Sequence, residues 1–369
     1  MFDSRHYVPM LKWRTAEQQA LEKLDTNRKN FITPLIQLVM PPVRKLKKDE
    51  KEKTPKEIMT ESIELLNTKA PEFPKQIQRC WGQKPIFVDP SLLYTSDIRA
   101  RILNKIAATG EELDLSIIPV VNLSSDDDMK KTVCSIMHKY NKGACLKLVS
   151  VDFSDYKQLK RDIRKFIEDT KLEEKNIDLI IDLQEDKGDE YFNISKLSQE
   201  LPNLKDWRTF TLTCGAFPID LSACKVDKKN LIPRKDWCNW VDLITQKKLE
   251  RYPAFSDYTV RHPIHKESTL FFSPSASICY TLENDWLIMR GQKAQSMQYL
   301  ANAKLLSSMP EFFGPDFSRG DQFIAAKGNY FDDYIKHPEK KGTGNATMWI
   351  EAGINHHLAC TVNQIANLP

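Results

Sequence analysis

No stretch of this chain approaches the eighteen or so consecutive apolar residues that a membrane helix needs, so no membrane-spanning helix is expected. Cysteine is present without a pattern. Cys80, Cys134, Cys145, Cys214, Cys224, Cys238, Cys279 and Cys360 lie scattered, most beside apolar neighbours, and no CxxC pair occurs. That spacing argues against a disulfide framework and against structural zinc. No glycine-rich dinucleotide fingerprint follows any β-rich run, which weakens the case for a doubly wound nucleotide fold. Charge of one sign is also missing. The totals of 54 basic and 50 acidic residues leave +4, which makes no case for nucleic acid by itself. Met1-Phe2-Asp3-Ser4-Arg5-His6 does not read as a secretory signal. The expectation is a soluble protein of a reducing cytoplasm.

What is present is an alternation. Short β-rich runs alternate with longer amphipathic stretches, and the apolar fraction of 41% is enough for a substantial core. Strands are expected at Tyr7 to Trp13, Phe31 to Leu38, Pro85 to Asp89 and Ser116 to Asn122. More follow at Ala144 to Val149, Ile177 to Leu183, Thr209 to Cys214 and Tyr258 to Val260. Helical patterns separate most of them. Thr15 carries capping-box spacing with its followers, and Thr54-Pro55 opens another helix. Runs such as Ile177-Asp178-Leu179-Ile180-Ile181 are continuous rather than alternating, as in a parallel sheet covered on both faces.

Eight such units over residues 1–263 predict an α/β fold, a (β/α)8 TIM-like barrel; the open doubly wound sheet is the competitor. Residues 264–369 read as a C-terminal α+β extension, a hairpin with helices packed on the barrel. A mixed-charge loop near 43–57 interrupts the barrel. Its run Arg44 to Lys53 is read as solvated chain first and as a nucleic-acid arm second, because acids are interleaved throughout.

Catalytic groups of such barrels sit at the C-terminal ends of the strands. There the sequence offers Lys12 and Arg14, Gln37, Asp89, Asn122, Lys147, Asp182 and Gln184, Cys214, and Arg261 with His262. Arg290 ends a later strand and joins the candidates for substrate binding. Strand ends that simply meet water are the ordinary explanation for any one of these residues. The set is harder to dismiss, since Lys12, Lys147 and Asp182 lie in or against apolar runs, where an unpaired charge is costly. A structural ion pair between one of these lysines and Asp182 is one outcome.

The functional reading assigns catalysis to Lys12, Asp89, Lys147, Asp182 and His262. It assigns substrate binding to Arg14, Asn122, Gln184, Arg261 and Arg290, the arginines being suited to bidentate phosphate or carboxylate contacts. The carboxylates would act as acid and base or hold a divalent metal ion, the one cofactor these residues suggest, though no spacing assigns a resident metal. The expected chemistry is phosphoryl-group or phosphodiester hydrolysis on a nucleotide-like anion. A Schiff base on Lys12 or Lys147 ranks lower. Cys214 is more simply a small buried hydrophobe than a nucleophile. Asp126-Asp127-Asp128 reads as a helix start rather than a metal cluster. Six of the tryptophans read as core or interface rather than a base-stacking platform.

His356 and His357 are adjacent in Trp349 to Val362, so on a helix they point about 100° apart and do not chelate one metal. Trp349, Gly353 and His356 share one side, expected to dock the last helix, with one histidine inward and the other toward water.

Several blocks resemble a known family. They are Tyr7 to Arg14 with Ile32 to Ile36, Ile177 to Asp182, Asp257 to Pro263, and Gly344 to Thr347 with Trp349 to His357. In order and nearly end to end, they resemble the phage "beta protein" family of phages, prophages and bacterial mobile elements. That resemblance implies a setting of phage–host conflict and transfers no activity. Two partner classes therefore stay open: an anionic small molecule or nucleotide at the barrel mouth, or a phage or host protein on a non-catalytic barrel surface.

Overall fold

The computed structural model describes residues 2–42, 53–245, 248–265, 275–338 and 342–368. Eight parallel strands form one sheet. They are β1 (Met10–Lys12), β2 (Leu35–Gln37), β3 (Ile86–Asp89), β4 (Ile117–Asn122), β5 (Ala144–Val149), β6 (Ile177–Glu185), β7 (Thr209–Gly215) and, after an eighth strand elsewhere, β9 (Ala254–Ser256). The sheet closes on itself. Tyr7 bridges Phe255 in parallel, Val8 N donates to Phe255 O at 2.9 Å, and Met10 N donates to Asp257 O at 2.8 Å. The architecture is a (β/α)8 barrel with additional C-terminal elements.

Strand alternation sorts the side chains. Val8, Met10, Leu35, Phe87, Ile118, Val120, Cys145, Ile180 and Tyr258 pack together as the barrel filling. Their sequence neighbours, such as Leu11, Ile36, Val88, Val121, Leu146, Ile181 and Leu212, face the surrounding helices. Both faces of the strands are therefore apolar, which explains the continuous runs in the sequence. Lower in the barrel, Arg208 holds Asp178 through Nε at 3.0 Å, with Thr209 Oγ1 donating to the same carboxylate at 2.7 Å.

A second, antiparallel sheet joins β10 (Ile278–Thr281), β11 (Asp285–Met289) and β8 (Lys229–Pro233), in that order. The hairpin of β10 and β11 was expected from sequence, whereas β8 was not. It is an edge strand of alternating exposure, containing Lys229, Asn230 and Pro233, and so lacks an apolar run. The strand expected at Tyr258 to Val260 is displaced: pairing runs over Ala254–Ser256, and Thr259 has a left-handed φ of 57°. The helix Glu72–Cys80 was also not anticipated.

Caps follow the expectations in part. Thr54 and Glu57 form a full capping box at Pro55–Lys69, and Asp126 caps Asp127–Tyr140 by accepting from Met129 N at 2.9 Å. Thr15 does not cap. It is already helical, Arg14 holds the cap position, and the Gln18 side-chain amide donates to Gln76 Oε1 at 3.2 Å instead. The charged run Arg44 to Lys53 lies outside the described residues except for Lys53.

The last helix, Ala346–Ala366, packs against the first, Thr15–Glu22, and against β10. Asn355 Nδ2 donates to Ala20 O at 2.9 Å, and Lys23 pairs with Glu351. Gly353 permits a close approach, since a Cβ there would lie 2.9 Å from the Cys279 carbonyl oxygen. His356 and His357 are both fully buried, so the expectation that one faces water is corrected. They reach opposite neighbours but share Thr281. His356 Nε2 donates to Thr281 O at 2.8 Å, as it must because a carbonyl only accepts, while Nδ1 meets Asp321 at 2.8 Å. His357 Nδ1 meets Thr281 Oγ1 at 2.9 Å, and Nε2 meets Asp257 at 2.8 Å. The pair bolts the last helix to β10, to Arg319–Lys336 and to the barrel seam. The six tryptophans read from the sequence as core or interface, Trp81, Trp207, Trp237, Trp240, Trp286 and Trp349, are all buried.

Candidate functional site

The inner face of the strands changes character at their C-terminal ends. The parallel register places Lys12 beside Gln37 and Gln37 beside Asp89. It places Asn122 beside Lys147, Asp182 beside Thr213, and Thr213 beside Ser256. All continue the inward-facing series of their strands, so a polar ring lies above the apolar filling.

Three charges within the ring are buried together. Lys147 Nζ donates to Asp89 Oδ2 at 2.5 Å and lies 4.0 Å from Asp182 Oδ2. The side chains are 4%, 1% and 1% exposed, so water supplies almost none of the solvation these charges need. Burial disfavours the Lys147 ammonium most, yet Asp89 and then Asp182 outweigh it and hold its pKa above the ordinary value. Burial also opposes ionisation of Asp89, but Lys147 and the Ser91 amide, 2.8 Å from Oδ1, keep its carboxyl below the usual range. Asp182 goes the other way. Burial raises its pKa against the pull of Lys147, of the Tyr258 hydroxyl at 2.7 Å and of the Gln184 amide at 2.9 Å. Asp89 is thus the main counterion and Asp182 the readier proton acceptor.

Nearer the solvent, cations gather. Lys12 Nζ donates to the His262 carbonyl at 2.6 Å. Burial, then Arg261 and Arg14, depress its pKa to about 8, with Glu17 opposing. His265 is pushed down to about 4 by burial, Arg14 and Lys12. Arg261 Nε lies 3.5 Å from Glu17 Oε1, and the Glu17 side chain is itself buried. His262 accepts from Ile264 N through Nδ1 at 3.1 Å, which leaves the proton on Nε2, 3.5 Å from Glu185. Lys12, Arg14 and Arg261, together with the imidazoles of His262 and His265, therefore share this end of the barrel with the buried Glu17.

The expected residues divide accordingly. Lys12, Asp89, Asn122, Lys147 and Asp182 share the ring, and Arg14, Arg261 and His262 lie at its edge. Gln184 is exposed and contributes its amide to Asp182 from a left-handed backbone (φ 57°). Arg290 is engaged elsewhere, donating to the carbonyls of Ser222 at 3.0 Å and Cys224 at 2.7 Å. Glu17 and His265 were missed. Glu17 is an acid in the first turn of a helix, an ordinary place for one, and His265 stands four residues after Arg261 with nothing local to mark it. Cys214 is buried, and burial pushes its thiol well above the ordinary value, the opposite of nucleophilic activation.

Asp89 and Asp182 are the acids that suit a divalent cation. The Lys147 ammonium stands between them, and among the described residues no three His, Cys, Asp or Glu side chains gather as a metal site. Chemically, the mouth offers positive charge to an anion and, in Lys12, an amine that exchanges its proton near neutral pH.

Among the described residues no helix is long and apolar enough to cross a membrane. No curated protein matches the chain. The sequence model of the Beta protein family matches residues 7–363, which takes in every strand of the barrel and nearly all of the last helix. On that match, the chain belongs to the Beta protein family.

Proposed function

We propose that the barrel mouth binds a phosphate-containing, nucleotide-like anion and that this phage- or mobile-element-associated protein acts on it as a phosphoryl-group hydrolase. The observation that supports this reading best is the gathering of Lys12, Arg14 and Arg261 at the mouth, where burial first, and then the two guanidinium charges, bring the Lys12 ammonium down to about 8. Such crowding is unfavourable in the free protein and is relieved when an anion enters. Arg14 and Arg261 grip the phosphate, and Lys12 supplies charge or a proton at the leaving oxygen. The Lys147 triad below fixes the field of the floor, and Asp182 is its proton-accepting member.

A second reading has its own observation. Asp89, Lys147 and Asp182 are paired with one another and almost wholly buried, as an ion cluster that stabilises a barrel interior would be. On that reading the protein is a non-catalytic binding component that engages a phage or host protein. Calorimetric titration with inorganic phosphate and AMP, paired with a hydrolysis assay on bis(p-nitrophenyl) phosphate, separates the two. Binding weakened by Arg261→Ala together with turnover lost in Lys12→Ala supports the hydrolase. Binding without turnover supports the non-catalytic protein, and no binding of either anion refutes the anion site.

A further inference from the structure

Resting on the anion-site reading, we propose that the ligand is a phosphorylated sugar, its hydroxyl groups turned onto the polar ring and its phosphate on the cations at the rim. The observation is a set of buried side-chain atoms on the inner face that have no hydrogen-bond partner among the described residues: Gln37 Oε1, Asn122 Oδ1 and Thr213 Oγ1. Gln37 is 4% exposed and Thr213 0%. A polar atom buried in this way costs stability unless something satisfies it. These three do not serve the triad. Asp89 is engaged by Lys147 and the Ser91 amide, and Asp182 by Tyr258, the Gln184 amide and the Lys147 charge 4.0 Å away.

Their placement narrows the ligand. Gln37 is the register neighbour of both Lys12 and Asp89, so it lies between a rim cation and a floor carboxylate. Thr213 sits beside Asp182, and Asn122 beside Lys147. An apolar ligand would leave the amide and hydroxyl groups unsatisfied. A second anionic group would face Asp89 and Asp182. A neutral group that both donates and accepts hydrogen bonds matches amide oxygens, a threonine hydroxyl and carboxylate edges together, and a ring of hydroxyls provides several at this spacing. Eight strands enclose an interior just wide enough for side chains, and here Phe87, Ile118, Val120 and Ile180 fill it, so the sugar rests on the ring rather than inside the barrel.

The test is calorimetric titration of the full chain with inorganic phosphate, ribose 5-phosphate and AMP. Ribose 5-phosphate is expected to bind at least about fivefold to tenfold more tightly than phosphate, the worth of one or two neutral hydrogen bonds. Gln37→Met and Thr213→Val keep volume and remove the polar atoms. Each is expected to erase most of that advantage while leaving phosphate affinity unchanged, and to melt no lower than wild type because an unsatisfied group is gone. AMP binding as tightly as ribose 5-phosphate, or more so, names a nucleotide as the source of the sugar phosphate. Weaker AMP binding names a free one. If phosphate binds and ribose 5-phosphate has no advantage, or the advantage survives both substitutions, the inference is overturned and the three atoms are satisfied by water alone. If neither phosphate nor ribose 5-phosphate binds, the underlying anion site is what has failed.

Discussion

Replacing Lys147 by Met tests whether the buried triad is held by a single cation. The substitution keeps an unbranched side chain of similar length and removes the only cation that lies, among the described residues, against both Asp89 and Asp182. Neither carboxylate is exposed, so at least one must take up a proton for the variant to fold. Protonating a carboxyl of ordinary pKa 3.8 at pH 7 costs about 4 kcal/mol, since each unit is worth about 1.4 kcal/mol. That agrees with the roughly 3–5 kcal/mol typical of breaking a buried pair. Asp182, whose pKa burial already raises, is the group expected to take the proton. The cost must then shrink as the solution supplies protons, to below about 2 kcal/mol at pH 5. The assay is urea denaturation of wild type, Lys147→Met and Lys147→Met/Asp89→Asn at pH 5, 6 and 7. The double variant, with one carboxylate neutralised, should recover more than half of the loss at pH 7. A single variant within about 1 kcal/mol of wild type at every pH would refute the reasoning, because the carboxylates would then have another counterion.

Three further outcomes follow from other parts of the fold. Phosphate affinity should fall as pH rises through about 8, where Lys12 loses its proton, and Lys12→Arg should flatten that dependence in the same titration. Asp236, fully buried beside Asp257, has its pKa raised to about 7 by burial and then by that neighbour. Its folded value exceeds its unfolded one, so it lowers stability as pH rises from the ordinary carboxyl range through 7. Asp236→Asn should therefore gain on wild type by about 2–3 kcal/mol between pH 5 and pH 8 in chemical denaturation. Gly353→Ala would press a methyl to 2.9 Å from the Cys279 carbonyl oxygen, and a loss of about 1–3 kcal/mol in thermal or urea unfolding is expected.

The barrel was legible because its strands are buried on both faces, and continuous runs such as Ile177 to Leu183 declare that burial directly. The triad was legible in part for a related reason: Lys147 and Asp182 interrupt apolar runs, and a charge in such a place must find a partner. The sequence pointed to Asp182 as the lysine's partner, whereas Asp89 stands nearer. Edge and rim features left weaker traces. Lys229–Pro233 carries alternating polar residues and a proline, and only its pairing with Asp285–Met289 makes it a strand. The last barrel strand has three paired residues, so the aromatic and β-branched Tyr258 to Val260 looked more strand-like than Ala254–Ser256 does. The histidine pair shows the limit most plainly. Helical geometry ruled out joint chelation, but the partners of His356 and His357 stand 35 and 100 positions away, at Asp321 and Asp257, and nothing local announces them. Glu17 shows a different failure: an acid in the first turn of a helix is ordinary, and only the fold brings Arg261 to it.

The central claim is that an anion binds at the cations of the barrel mouth, and the most direct measurement is a crystal structure grown with tungstate, a heavy phosphate mimic, read by anomalous diffraction. The account predicts a peak within contact distance of Lys12 Nζ and the Arg14 and Arg261 guanidinium groups, lost in Lys12→Ala/Arg261→Ala. Tungstate bound only at other surfaces, with the mouth empty at saturating concentration, would contradict it.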